Sequence, residues 1–90
     1  MNVVQQTVLI SNKRGLHARA SAKFVTLAST QSAAVEVAKD GSSVAGTSIM
    51  GLMMLGAAMG DTVTISAQGE GANETLARLV ALIEAKFGED

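Results

Sequence analysis

Ninety residues with 48% hydrophobic but only 2% aromatic side chains, and a net charge of −1, describe one small domain, residues 1–90, with an aliphatic core. That balance excludes a nucleic-acid binder relying on overall basicity, and a chain without Trp or Tyr lacks the usual base-stacking platforms. The absence of Cys excludes a disulfide framework and thiolate metal sites. No apolar run approaches the ~20 residues of a membrane span. Met1-Asn2-Val3-Val4-Gln5-Gln6 lacks the basic-then-apolar order of a secretory leader. The expectation is a soluble, cytoplasmic protein.

In chain order, residues 3–10 read as a first strand, with Val4, Val8 and Ile10 on one side and Gln6 interrupting that face. Ser11 to Gly15 is a polar loop. Residues 18–29 follow as a helix with Ala20, Phe24, Leu27 and Ala28 at helical spacing, which places His17 at or beside the N-cap. Residues 34–39 and 42–45 form two strands around Asp40-Gly41, a tight-hairpin signal. Ser48 or Thr47 caps a short helix over 49–55 that Gly56 stops. Residues 62–67 alternate as a fourth strand. A final helix, capped by Asn73, carries Leu76, Leu79, Val80, Ile83 and Phe87 on one stripe, with Gly88 as its stop. The order β-α-β-β-α-β-α predicts a two-layer α+β sandwich with one sheet face covered by helices and the other polar.

The lone histidine carries the chemistry. A neutral imidazole is nucleophilic near pH 7 and can take a phosphoryl group on a ring nitrogen. The helix start at Ala18 and Arg19 offers backbone N–H groups to an anion, and the Arg19 guanidinium can add a charge-assisted pair. Gly15, lacking a side chain, lets a partner come close. Lys13, Arg14, Arg19 and Lys23 form a basic cluster suited to steering toward acidic surfaces. No Asp or Glu spacing around His17 suggests a metal site, and no Walker-type loop is present, so no cofactor or metal is expected.

Gly15-Leu16-His17-Ala18-Arg19 closely resembles the phosphorylation site of the HPr family, the histidine phosphocarriers of the bacterial phosphoenolpyruvate-dependent phosphotransferase system. The resemblance continues at Ser48-Ile49-Met50-Gly51, similar to the family's regulatory serine segment, and at Thr64-Ile65-Ser66-Ala67, similar to its fourth strand. It implies an open-faced sandwich with a four-stranded antiparallel sheet in the order 1-4-2-3 and three helices on one face. His17 would be the phosphoryl acceptor and donor, through Nδ1, and Arg19 its phosphate-stabilising neighbour. Enzyme I would charge the protein, an EIIA domain would receive the group, and HPr kinase/phosphorylase would modify Ser48. Ile49, Met50 and Met53 would contact partners.

The protein would then be a stoichiometric carrier, not an enzyme, and most economically a monomer. Ala20 departs from the family, which usually has proline there; its N–H is expected to add a donor near the site or to bond back to the cap. Two alternatives accompany this reading. One is a regulatory HPr-like protein of a nitrogen-related phosphotransfer branch. The other is a small ligand-binding α/β module of ferredoxin-like type in which His17 merely caps a helix.

Overall fold

A computed structural model describes residues 3–89, so the start of the stretch read for a leader, Met1-Asn2, lies outside the described residues. The elements are β1 (Val3–Leu9), α1 (Ala18–Ser29), β2 (Ala34–Lys39), β3 (Ser42–Ala45), α2 (Ile49–Met54), β4 (Thr62–Gln68) and α3 (Ala72–Glu84), followed by a 3-10 turn over Lys86–Gly88. The strands form one sheet in the order β1-β4-β2-β3, with every pairing antiparallel.

Period-two alternation decides which sheet face is covered. Val63, Ile65 and Ala67 of β4 are buried against the helices, with Val8 of β1 and Val35 and Val37 of β2. On the opposite face Thr7 pairs with Thr64, their hydroxyls 3.1 Å apart. α1 adds Ala20, Phe24 and Ala28 to the core, and α3 adds Leu76, Leu79, Val80 and Ile83. Gln6 is exposed, which accounts for its break in the apolar pattern of β1.

The differences from the expected boundaries lie at element ends. β1 stops at Leu9, although Ile10 still donates its N–H to the Asp61 carbonyl at 2.8 Å. β4 runs one residue further, to Gln68, and α2 ends at Met54 with Leu55 as its C-cap. Asn73 is not the cap of α3: the helix begins at Ala72 behind Gly71, which takes a left-handed φ of 73° and offers no capping side chain. α3 also closes at Glu84. Phe87 reaches the core from the following turn rather than from the helix stripe.

Candidate functional site

His17 is the N-cap of α1. Its backbone is extended (φ −73°, ψ 179°), and its Nδ1 accepts a hydrogen bond from the Arg19 N–H at 3.2 Å. An imidazole thus does what a Ser or Asp side chain does at most helix starts: it satisfies one of the first unpaired N–H groups. The His17 carbonyl accepts the Ser21 N–H at 2.9 Å, and the Ser21 hydroxyl donates to the Leu16 carbonyl at 3.2 Å. The cap's backbone bonds are therefore made by Arg19 and Ser21, and the Ala20 N–H does not bond back to it.

The loop before the histidine is fixed from below. Gly15 has a φ of 62°, and a Cβ placed on it would lie 2.3 Å from the Ala57 carbonyl oxygen. That oxygen accepts the Leu16 N–H at 2.9 Å. Gly15 is buried, so the space it leaves admits the chain that follows α2, not an incoming partner as the sequence suggested. Through this contact the short α2 is tied to the histidine loop.

The other face of the imidazole holds what sequence reasoning missed. Nε2 lies 2.9 Å and 3.1 Å from the two carboxylate oxygens of Glu89. Asn12, fully buried, donates its Nδ2 to Glu89 Oε1 at 2.8 Å and to the Gly15 carbonyl at 2.9 Å. An ionised carboxylate can only accept, so Nε2 carries the ring proton and donates it to Glu89; Nδ1, accepting from Arg19, is bare. The Asn12 hydrogen bond is the largest influence holding the Glu89 carboxyl below its ordinary value of 4.5. Partial desolvation opposes it, while His17 and the charge of Arg14 add to the lowering. The His17 side chain is only 13% exposed beneath this carboxylate, less open than an imidazole pointing into solvent.

The remaining expected residues divide. Arg19 is exposed, and its guanidinium has no hydrogen bond or ion pair among the described residues, which leaves its donors available. Lys23 leaves the steering cluster, because its Nζ donates to the Phe87 carbonyl at 2.7 Å and so anchors the segment that carries Glu89. Ser48 caps α2, its Oγ accepting the Gly51 N–H at 3.0 Å. A Cβ at residue 51 would lie 3.1 Å from that Oγ, which gives a packing reason for glycine inside a short helix.

On α2 only Leu52 is fully buried. Ile49, Met50 and Met53 are exposed as expected, but Met54, which was not singled out, is the most exposed at 81%, and Met59 beyond the helix is also exposed. Solvent-facing methionines make an apolar surface that can adapt its shape. No helix among the described residues is long and apolar enough to cross a membrane.

The profile of a known family, described as the PTS HPr component phosphorylation site, matches residues 4–85. The chain belongs to the HPr family. It is 45% identical over 87 residues to the phosphocarrier protein HPr of Cupriavidus necator, covering 97% of this chain and 98% of that one. It is 38% identical over 89 residues to the phosphocarrier protein NPr of Shewanella violacea, covering 99% and 98%. The crystal structure of HPr-C-His from Thermoanaerobacter tengcongensis superposes with a TM-score of 0.90 at 48% identity, covering 100% of this chain and 99% of that one. This protein is accordingly an HPr-family phosphocarrier with the family's open-faced sandwich. The ferredoxin-like ligand-binding alternative falls with that result.

Proposed function

We propose that the protein accepts a phosphoryl group on Nδ1 of His17 from phosphorylated Enzyme I, itself charged by phosphoenolpyruvate, and passes it to an EIIA domain. The observation that carries this reading is the different state of the two ring nitrogens. Nε2 is occupied by its proton and the Glu89 carboxylate, while Nδ1 keeps a lone pair beside the start of α1.

In the forward step the Nδ1 lone pair attacks phosphorus in line with the bond that holds the group to the donor. As the new P–Nδ1 bond forms, the old bond breaks and its electron pair returns to the donor atom of Enzyme I. No proton has to leave His17, because Nδ1 had none. The Arg19 N–H, released from Nδ1, becomes a donor to a phosphoryl oxygen, and the free Arg19 guanidinium adds charge-assisted bonds to the others. Transfer to EIIA is the same displacement with His17 as the leaving group. Catalysis of this kind consists mainly of positioning and electrostatic stabilisation, which two docked proteins provide together.

The exposed surface formed by Ile49, Met50, Met53 and Met54 supports docking by successive partners beside His17. Ser48, at the edge of that surface, is the proposed site for HPr kinase/phosphorylase. A phosphate on its Oγ would suit a helix N-terminus but would set negative charge against an apolar contact.

Incubation with phosphoenolpyruvate, magnesium and Enzyme I is expected to give an acid-labile adduct that His17→Ala abolishes and Ser48→Ala retains. Absence of labelling in the wild type, or labelling that survives His17→Ala, contradicts the reading. HPr kinase and ATP should instead label the wild type and not Ser48→Ala.

A further inference from the structure

The segment after α3 is built at a cost. Lys86, Phe87 and Gly88 are three consecutive residues in the left-handed region, with φ of 56°, 55° and 76°. For the two with side chains this conformation is strained. Such strain persists only where the surroundings over-determine it, and it gathers at functional sites. Here the Phe87 side chain is 1% exposed in the core, and its carbonyl is held by Lys23 of α1 at 2.7 Å. One residue on from this anchored, strained turn, the Glu89 carboxylate meets both His17 and Asn12.

We propose that Asn12 and Glu89 are positioning residues for phosphoryl transfer: Asn12 fixes the Glu89 carboxylate, and the carboxylate holds the Nε2 proton of His17 so that the bare Nδ1 faces the incoming group. The proposal rests on His17 as the acceptor and names the groups that set its reactive form. The arrangement follows the logic by which a buried carboxylate selects the tautomer of a catalytic histidine. Asn12 suits its place because an amide nitrogen has two N–H donors, and both are used, one on Glu89 and one on the Gly15 carbonyl of the histidine loop. A single side chain thereby ties the loop bearing the nucleophile to the segment bearing its orienting carboxylate.

The same contact acts after transfer. Once Nδ1 carries the phosphoryl group and Nε2 keeps its proton, the ring is cationic, and a carboxylate beside Nε2–H stabilises that charge. A phosphoimidazole protonated on its other nitrogen departs as a neutral imidazole when the P–N bond breaks. Glu89 thus stabilises the phosphohistidine and keeps Nε2 protonated, so that His17 leaves as a neutral imidazole.

The test has two arms, so that failure of the positioning claim differs from failure of the carrier reading. In the first, imidazole NMR of the unphosphorylated protein, without any partner, should show the Nε2–H resonance protected from exchange with water. Glu89→Ala should lose that protection, and Asn12→Ala should weaken it. In the second, transfer from phospho-Enzyme I should slow about tenfold in Glu89→Ala, as is usual for loss of an orienting partner. Glu89→Gln, whose amide oxygen can still accept from Nε2–H, should fall between Ala and wild type. The double variant should be no slower than Glu89→Ala, because Asn12 acts through the carboxylate. Thermal denaturation of each variant identifies any that is unfolded, and Glu89→Gln preserves the test if Asn12→Ala fails to fold. A protected Nε2–H in Glu89→Ala, or wild-type transfer rates in folded Glu89→Ala, overturns the proposal.

Discussion

α1 and α2 begin in the same way and end with different chemistry. His17 and Ser48 are both extended N-cap residues whose side chains accept a backbone N–H, at 3.2 Å from Arg19 and 3.0 Å from Gly51. A capping hydroxyl accepts and donates through one and the same oxygen. An imidazole that caps still has a second nitrogen, and here that nitrogen meets Glu89 and, through it, Asn12. The surroundings diverge too. His17 sits under a carboxylate on a loop pinned to Ala57, whereas Ser48 opens onto exposed Ile49 and Met50. Capping therefore explains why each residue tolerates its position, and the second partner of the imidazole distinguishes the proposed relay site from the proposed regulatory one.

His17→Ala breaks the comparison most sharply. It should abolish phosphoryl acceptance while costing only about 1 kcal/mol of stability through the lost cap, measured by labelling and urea denaturation on the same sample. Gly15→Ala attacks the scaffold under one cap only. A Cβ against the Ala57 carbonyl, at a left-handed φ, should destabilise the fold by about 2–4 kcal/mol and slow labelling through displacement of the histidine loop. Ser48→Ala is the mirror of His17→Ala: about 1 kcal/mol lost in denaturation, with labelling on His17 intact.

Acid should separate the two caps without mutation. Because the folded Glu89 carboxyl sits below its ordinary value of 4.5, its stabilising contribution is complete above that value. It disappears as pH falls through the lower folded value, where the unfolded and folded states come to bind equal numbers of protons. Nε2–H protection should vanish over that interval, and Asn12→Ala should move the transition upward toward 4.5 because it removes the largest influence on the carboxyl. The Ser48 cap, which has no ionisable partner, should show no local transition there. The smallest effect belongs to Ala20→Pro. Arg19 and Ser21 make the cap's bonds, so proline in this first turn should change stability by no more than about 1 kcal/mol and leave the phosphohistidine lifetime within a factor of two.

The layers and the sheet were legible because alternation and helical spacing report burial directly. Val63, Ile65 and Ala67, and likewise Leu76, Leu79, Val80 and Ile83, face the core as their periodicity predicts. The two helix caps were legible for a similar local reason, lying at boundaries between two periodicities. Glu89 and Asn12 were not. Their contacts join residues separated by 72 and 77 positions, and the chain is turned toward the site by left-handed Lys86 and Phe87, residue types that give no signal of that conformation. Asn73 misled because a side chain that often caps stood two residues beyond Gly71, whose left-handed backbone starts α3 without a side-chain bond. Met54 was passed over because a six-residue helix apolar on nearly every face does not reveal which face is outward.

The central claim, that His17 reacts through Nδ1 while Glu89 keeps the proton on Nε2, can be read in a single sample. Nitrogen NMR of phosphorylated protein carrying isotopically labelled histidine should show coupling to phosphorus at Nδ1 and an attached, exchange-protected proton at Nε2. Phosphorus coupling at Nε2, or a phosphorylated protein with no coupling to either ring nitrogen, would contradict it.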